Sequence, residues 1–302
     1  MHTTPSAKCG RDLRALSTPV APAAARRGRR SLALIGASAA IGAALVASHA
    51  GADEDLFDVW LRLVETAPEV FSFETGAITE GDPGDPIAER WRVFPAELGE
   101  DPLFPFSATE PGFQLLASPE TANQILFFTI TTPVLRWTGT GFVAGGEIME
   151  FGFGPALVFS GAGPVPGFQF SANAQGFIHD HFDQTLFGPG ATDPDPGIYL
   201  VGLSMEGLSP LTIAASETFY YCYNLETDEE EWEGACAWAD LYVACTLDLN
   251  GDGVVDGADL GALLANYGKR GDGGGLGDLN RDGIVDGADL GLLLGGWAHV
   301  CP

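Results

Sequence analysis

Residues 248–267 read DLNGDGVVDGADLGALLANY, and residues 278–297 read DLNRDGIVDGADLGLLLGGW. The second segment starts 30 residues after the first, and the two are identical at 14 of 20 positions. Each carries Asp or Asn at alternate positions, then a glycine, and then an Asp at position 12. An internal repeat of this kind predicts one structural unit that is present twice.

The alternating side chains have the spacing of a calcium-binding loop. Ca²⁺ takes six to eight hard oxygen ligands, which a short loop supplies by wrapping around the ion. The predicted ligands of loop 1 are the side chains of Asp248, Asn250, Asp252, Asp256 and Asp259 and the backbone carbonyl of Val254. Those of loop 2 are the side chains of Asp278, Asn280, Asp282, Asp286 and Asp289 and the carbonyl of Ile284. We therefore expect two Ca²⁺ ions per chain.

A short helix is predicted after each loop, because apolar residues recur there at i, i+3, i+4 and i+7. These are Leu260, Leu263, Leu264 and Tyr267, and then Leu290, Leu293, Leu294 and Trp297. The duplicated loop and helix, with Asp at position 12, resemble a type I dockerin over residues 245–302. Gly-Ala at positions 10 and 11 resembles the Gly-Ala-Asp-Leu variant in secreted bacterial proteins outside cellulosomes. The resemblance implies anchoring to a protein partner, either cohesin-like or at the cell surface.

Cysteine usage agrees with an exported protein, because the four cysteines after residue 50 are even in number and allow two disulfides in three connectivities. The dockerin resemblance implies that the two ends of the module meet, which pairs Cys245 with Cys301. We then expect Cys222 to pair with Cys236. Free buried thiols are the alternative.

The first 50 residues have the pattern of a secretory signal peptide. Seven of the 14 basic residues lie there, opposed only by Asp12, and they precede an Ala- and Gly-rich apolar run over residues 31–47. Small residues place the cleavage site after Ala50 or Ala52. Arg29-Arg30 loosely resembles a twin-arginine export signal. The alternative to a signal peptide is that the apolar run is a membrane-spanning helix. We expect a secreted or cell-surface protein.

The net charge of −27 excludes some partners. Nucleic-acid binding depends on Lys and Arg contacts to phosphate, and anionic membranes repel an acidic protein. The sequence therefore predicts neither nucleic-acid binding nor association with an anionic membrane surface. Once the signal peptide is removed, no membrane span is expected in the mature chain.

Residues 53–244 are expected to form one β domain, because glycine, proline and aspartate punctuate short apolar stretches. We expect an antiparallel β-sandwich or jelly roll, with a β-barrel as the alternative. The best helix signal is at residues 119–124, with Ser118 as the N-cap. The fold class is thus a mostly β body followed by a small all-α calcium-binding module.

Two histidines in the body are candidate metal ligands. On a strand, alternation would put His179, His181 and Asp183 on one face. Two imidazoles and a carboxylate suit Zn²⁺ or another transition metal. The alternative is a polar strand face that is exposed to solvent.

The body also resembles uncharacterised secreted bacterial β-proteins with a Gly-aromatic-x-His-x-His strand. The resemblance is carried by residues 176–183 (GFIHDHFD) and 196–203 (PGIYLVGL), and by residues 58–62, 93–97 and 218–222. Some members of that group are associated with zinc limitation. The resemblance implies no established reaction.

Two hypotheses of function follow. The first is a secreted, non-enzymatic protein whose β domain binds a ligand or metal and whose calcium-binding module anchors it. The second is a carbohydrate-active enzyme or binding module, for which Trp60, Trp91, Trp137, Trp232 and Trp238 would stack on sugars. No nucleophile elbow or phosphate-binding loop is present in the sequence, which favours the first. The acidic run at residues 226–233 is interpreted as a solvated loop.

Overall fold

A computed structural model of the protein describes residues 57–79, 88–270 and 275–302. The predicted signal peptide lies outside these ranges. Within them the chain is mostly β-structure, as expected, with three α-helices towards the C-terminus and one 3-10 helix. No helix in these ranges is both long and apolar enough to cross a membrane.

Strands separated by turns make up the body, and most of them are short because turn-forming residues interrupt its apolar stretches; β1, β2 and β15 have 11, 10 and 13 residues. In chain order they are β1 (Phe57–Ala67), β2 (Val70–Thr79), β3 (Ala88–Glu89), β4 (Val93–Glu97), β5 (Ser107–Ala108), β6 (Phe113–Leu115), β7 (Ile125–Ile130), β8 (Leu135–Trp137), β9 (Phe142–Ala144), β10 (Ile148–Phe153), β11 (Ala156–Phe159), β12 (Val165–Ser171), β13 (Ile178–Asp180), β14 (Asp183–Phe187), β15 (Gly197–Ser209), β16 (Ile213–Ala214) and β17 (Phe219–Leu225). Among the described residues, thirteen strands form one sheet and four form another, ordered β11-β10-β14-β5.

The larger sheet is mixed, which corrects the expectation of an antiparallel body. Its main path is β12-β7-β15-β16-β2-β1-β6-β13. The pairs β1–β6, β2–β16 and β4–β17 are parallel. Parallel neighbours need a crossover connection, and other strands intervene in the sequence between the members of each pair. Short apolar runs predict strands but do not reveal which strands become neighbours.

Both sheets contribute to one hydrophobic core. The larger sheet supplies Phe113 and Phe128, and the smaller one supplies Phe151 and Leu186. Phe182, in the connection between β13 and β14, stacks on Phe128 with ring centroids 5.7 Å apart. Alternation along each strand sends these side chains inward.

An α-helix, α1 (Glu229–Tyr242), begins within the acidic run for which the sequence predicts a solvated loop. Asp228 caps it by accepting a hydrogen bond from the Glu230 N–H at 3.1 Å. The acidic residues of the first turn favour the positive end of the helix dipole. Ala235 and Ala239 pack inward against β15 and β17. The loop prediction was wrong because it used the charge of the run and not its Asp cap and alanine spacing.

The helix predicted at residues 119–124 is present as a 3-10 helix, Pro119–Thr121. Ser118 is its N-cap, as expected, and accepts a hydrogen bond from the Glu120 N–H at 3.3 Å. The helix is shorter than predicted because the backbone becomes extended at Ala122, where ψ is 122°.

One of the two predicted disulfides is present. Cys245 and Cys301 are bonded, with Cα atoms 5.7 Å apart. Cys222 and Cys236 are free thiols, so the second prediction is corrected. Burial, and then a hydrogen bond with Cys222, raise the pKa of Cys236 well above its usual range. The two cysteines are neighbours as expected, but sequence spacing does not determine whether neighbouring thiols are oxidised.

The predicted helices follow the two Asp-rich loops, in the segment that we call the C-terminal repeat (residues 245–302). They are α2 (Gly257–Asn266) and α3 (Gly287–Gly295). Each starts with a capping box, formed by Asp256 with Asp259 and by Asp286 with Asp289. A capping box satisfies N–H groups that the first turn of a helix leaves unpaired.

The two copies of the repeat exchange backbone hydrogen bonds. The Val255 N–H of loop 1 donates to the His299 carbonyl at 2.9 Å, and the Val285 N–H of loop 2 donates to the Lys269 carbonyl at 3.1 Å. Each loop therefore pairs with the segment that follows the other copy's helix. Their leucines share one core, which includes Leu247, Leu263, Leu279, Leu292 and Leu293 and also Leu241 of α1.

Candidate metal centres

Three neighbouring strands of the larger sheet each turn a polar side chain away from the core. They are Asp58 in β1, Gln114 in β6 and His179 in β13, while Val59, Phe113 and Ile178 beside them point into the core. Gln114 is paired with Trp60 on one side and with His179 on the other. Strand alternation therefore puts Asp58 and His179 on the same face of the sheet, opposite to the face of Val59 and Ile178.

Asp58, His179 and His181 form the only group of three His, Cys, Asp or Glu side chains, among the described residues, whose ligand atoms all lie within 4.8 Å. Oδ2 of Asp58 is 3.0 Å from Nε2 of His179 and 3.9 Å from Nε2 of His181. The two Nε2 atoms are 2.8 Å apart. Two imidazole nitrogens and a carboxylate oxygen that converge in this way are a donor set for Zn²⁺ and related metals.

The group is closed on its core side and open on the other. The Asp58 side chain is fully buried, whereas those of His179 and His181 are 25% and 24% exposed. The other oxygen of Asp58, Oδ1, accepts a hydrogen bond from the Gly112 N–H at 2.8 Å, which orients the carboxylate. Burial raises the pKa of Asp58, and His181 and this hydrogen bond oppose the rise. A bound cation would favour the charged form in the same way.

A second observation indicates that this donor set suits a metal ion. Asp58 Oδ2 and Glu110 Oε2 are buried and, among the described residues, accept no hydrogen bond of regular geometry, although an imidazole nitrogen lies within 3.0 Å of each. Buried acceptors of this kind are normally satisfied by protein, water or an ion. The Tyr221 hydroxyl is buried beneath them: burial first, then Tyr223, Asp58 and Glu110, raise the pKa of Tyr221 well above its usual range.

Glu110 lies behind His181, with Oε2 2.8 Å from Nδ1 of the ring. A carboxylate at this position orients a metal-binding imidazole and increases its basicity. Gly112 permits this approach, since a Cβ atom there would lie 2.8 Å from His181 Nδ1.

Substitution of Glu110 by glutamine is expected to weaken Zn²⁺ binding by about tenfold, because the loss of an outer-sphere partner typically costs 10–100-fold in metal affinity. Isothermal titration calorimetry with Zn²⁺ would measure it. The control is Glu120→Gln on the exposed 3-10 helix. Equal affinities for the Glu110 variant and the unchanged protein would contradict the role of Glu110.

Asp183 is not part of this group, which corrects the predicted ligand set. Strand β13 ends at Asp180, and Phe182 turns into the core. Asp183 then starts β14 in the smaller sheet, where it is exposed and pairs with Gly152. The prediction assumed one continuous strand through residues 177–183. Sequence analysis missed Asp58, and its only local signal is an acidic residue inside an apolar strand.

The predicted calcium ligands of loop 1 line one tight turn. Asp248 accepts hydrogen bonds from the N–H groups of Gly251 and Gly253 at 2.8 and 2.7 Å. Asp259, at position 12, is fully buried and accepts from the N–H groups of Leu249 and Asp256 at 2.8 and 2.7 Å. The remaining predicted ligands follow in the same turn, where Asp252 Oδ1 accepts from the Val254 N–H and Oδ2 accepts from the Asn250 side chain.

Loop 2 repeats this pattern. Asp289 is fully buried and accepts from the N–H groups of Leu279 and Asp286, each at 2.7 Å. Asp278 accepts from the Gly283 N–H at 3.0 Å. Asp282 accepts from the Asn280 side chain and from the Ile284 N–H, both at 2.9 Å. Gly253 and Gly283, at position 6, have φ of +89° and +83°, which glycine adopts without strain. These hard oxygen donors and the glycine turns fit Ca²⁺.

The tryptophans that the second hypothesis assigns to sugar stacking contact different parts of the protein, among the described residues. Trp60 is 7% exposed. The Trp232 indole donates a hydrogen bond to the Cys222 carbonyl at 2.9 Å. Trp137 and Trp238 meet edge to face at 5.6 Å. Trp91 lies under the guanidinium of Arg281.

No family model matches this chain, and no curated protein matches it. Among solved structures, it is similar to a family 123 glycoside hydrolase from Clostridium perfringens that was analysed for glycolipid glycan hydrolysis. The identity is 10% and the TM-score is 0.22, and the match covers 44% of this chain and 22% of the hydrolase. A similarity at this level assigns neither a fold nor a function to this chain.

Proposed function

We propose that this chain is an exported metal-binding protein. Its β body binds one transition-metal ion, with Zn²⁺ as the best match, at Asp58, His179 and His181. Its C-terminal repeat binds two Ca²⁺ ions and anchors the body to an extracellular assembly. The observation that carries the proposal is the convergence of the two Nε2 atoms and Asp58 Oδ2 within 4.8 Å.

The chemistry of the body site favours Zn²⁺ over Ca²⁺. Ca²⁺ prefers six or more oxygen donors, whereas imidazole nitrogens suit Zn²⁺ and its first-row neighbours. Three protein ligands and a solvent-facing side would leave a coordination position for water or a small anion. The body therefore acts in this proposal as a binding domain, and no catalytic step is assigned to it.

The architecture of the body is proposed to be a β-sandwich or jelly roll. The shared core of the two sheets, with Phe128 of the larger and Phe151 of the smaller at 5.6 Å, supports this proposal. It gives the metal site a rigid support, because Asp58 and His179 are on strands and not on long loops.

The anchoring role is proposed for the C-terminal repeat by its likeness to a dockerin. Apolar side chains at equivalent places in the two copies support it: Leu264 and Leu294 are 52% and 50% exposed, and Tyr267 and Trp297 are 51% and 46% exposed. Exposed apolar side chains that cluster on one module mark surfaces for protein partners. The partner proposed is cohesin-like or at the cell surface.

Elemental analysis of the purified full chain tests the metal content. We expect about two Ca and one Zn per chain after dialysis against a buffer with trace metals, from the two loops and the single body site. A His179→Ala, His181→Ala double variant should keep the Ca and lose the Zn. Absence of stoichiometric Zn, or equal Zn in the double variant, would reject the body site; absence of Ca would reject the calcium loops.

A further inference from the structure

The two calcium loops differ at position 4, where loop 1 has Gly251 and loop 2 has Arg281. Both residues have positive φ, +73° and +56° respectively. Glycine adopts this conformation freely, whereas a residue with a side chain does so at an energetic cost. An outlier of this kind persists where surrounding contacts stabilise it.

Arg281 makes such contacts with the β body. Its Nη2 donates a hydrogen bond to Oδ1 of Asp240 in α1 at 3.0 Å. The guanidinium also lies over the Trp91 ring, 4.4 Å from the centroid. The side chains of Arg281 and Asp240 are only 15% and 8% exposed. A planar cation that is hydrogen-bonded and stacked in this way is well oriented and largely shielded from solvent.

The backbone of Asp240 makes a second contact with the C-terminal repeat. Its carbonyl accepts hydrogen bonds from the N–H and Oγ1 of Thr246, at 3.1 and 3.0 Å. Thr246 lies between the disulfide-bonded Cys245 and the first loop 1 residue, Asp248. These backbone bonds are independent of the Asp240 carboxylate. The carboxylate itself touches both segments: Oδ1 accepts from Arg281 of loop 2, and Oδ2 accepts from Thr246 Oγ1 at 3.2 Å. An asparagine can keep a side-chain hydrogen bond with Thr246 but loses the charge that pairs with Arg281, so Asp240→Asn acts mainly on loop 2.

We propose that Arg281 is a positioning residue that couples Ca²⁺ binding at loop 2 to the docking of the C-terminal repeat on the β body. The inference rests on the calcium binding proposed above. An ion that holds Asn280 and Asp282 also holds the backbone of Arg281 between them. The contacts with Asp240 and Trp91 favour the same loop conformation, so each event promotes the other by linkage. The two loops thus differ in calcium affinity although their ligands match.

Calcium titration calorimetry on the full chain tests this coupling, with one loop disabled at a time by Asp252→Ala or Asp282→Ala. In the Asp252→Ala background, where loop 2 remains, Asp240→Asn is expected to weaken Ca²⁺ binding by about tenfold, a typical coupling. In the Asp282→Ala background, where loop 1 remains, it should change affinity by less than about twofold. The matched control is Asp228→Asn at the other end of α1, which should change neither.

The outcomes separate this inference from the proposed function. No Ca²⁺ binding to the unsubstituted chain rejects the calcium proposal itself. Two bound Ca²⁺ ions with unchanged affinity in Asp240→Asn, or an equal loss at both loops, overturns the coupling. If Asp240→Asn is misfolded by circular dichroism, Trp91→Leu removes the stacked face and carries the same expectation for loop 2.

A second readout is hydrogen exchange in the body. In the unsubstituted chain, Ca²⁺ should slow amide exchange in the C-terminal half of α1, because docking protects it. In Asp240→Asn, the same addition should slow exchange in α2 and α3 but leave α1 unchanged. Protection of α1 that is as large in the variant as in the unsubstituted chain would also overturn the coupling.

Discussion

Replacement of Asp58 by alanine is expected to lower the affinity of the full chain for Zn²⁺ by about 100-fold or more. Loss of an outer-sphere partner alone costs 10–100-fold, and Asp58 would be the only carboxylate in direct contact with the ion. The variant retains two imidazoles, which are too few for a tight site. Competition with a fluorescent zinc chelator would measure the affinity.

The matched control for Asp58→Ala is Asp183→Ala, which removes the ligand that the sequence pattern had favoured. Asp183 is exposed at the start of β14, so its loss should leave Zn²⁺ affinity within about twofold, as for surface sites remote from the ion. Because Asp58 also accepts from the Gly112 N–H, circular dichroism must show that the variant folds. Should it fail, His181→Ala tests the same centre. Equal losses in the Asp58 and Asp183 variants would reject the assignment.

Removal of calcium is expected to destabilise the C-terminal repeat strongly. Each ion would contribute about 3 kcal/mol to the free energy of unfolding when Ca²⁺ is 100-fold above its dissociation constant. Without the ions, the carboxylates of each loop repel one another at close range. We expect chelator to speed amide exchange in α2 and α3 by at least about tenfold, as measured by mass spectrometry.

Strands β7 and β15 serve as the internal control, because they lie in the body core and should exchange equally slowly with and without chelator. A double variant, Asp252→Ala with Asp282→Ala, should resemble the chelated protein and fail to respond to added Ca²⁺. The disulfide is kept oxidised throughout, since its loss would also destabilise the repeat. Slow exchange in α2 and α3 that persists in chelator would contradict calcium-dependent folding.

The elements that could be predicted from sequence are those that depend on nearby residues. Each loop and its helix lie within 20 residues, so spacing alone predicts the Asp-rich loop, its glycine and the apolar face of the helix. The start of the 3-10 helix at Ser118 was found for the same reason. Residues after each predicted helix were harder to place, because their partners belong to the other copy of the repeat.

The candidate metal site of the body shows where local patterns are insufficient. His179 and His181 can be predicted as metal ligands from the sequence because they are two residues apart. Asp58 joins them only because β6 pairs with β1 on one side and with β13 on the other. A protein with 41 acidic residues gives no means of choosing this one before strand pairing is known. The free thiols of Cys222 and Cys236 show a similar limit, since adjacency does not set oxidation state.

The reciprocal pairing of the two repeats has a practical consequence for engineering this protein. The last residues of the chain complete loop 1: His299 accepts from Val255, and the Cys301 N–H donates to the Gly253 carbonyl at 3.0 Å. A fusion partner or affinity tag joined after Pro302 would therefore lie beside loop 1 and not beside loop 2. Removal of the last five residues would therefore disrupt loop 1, although loop 2 is nearer to them in the sequence.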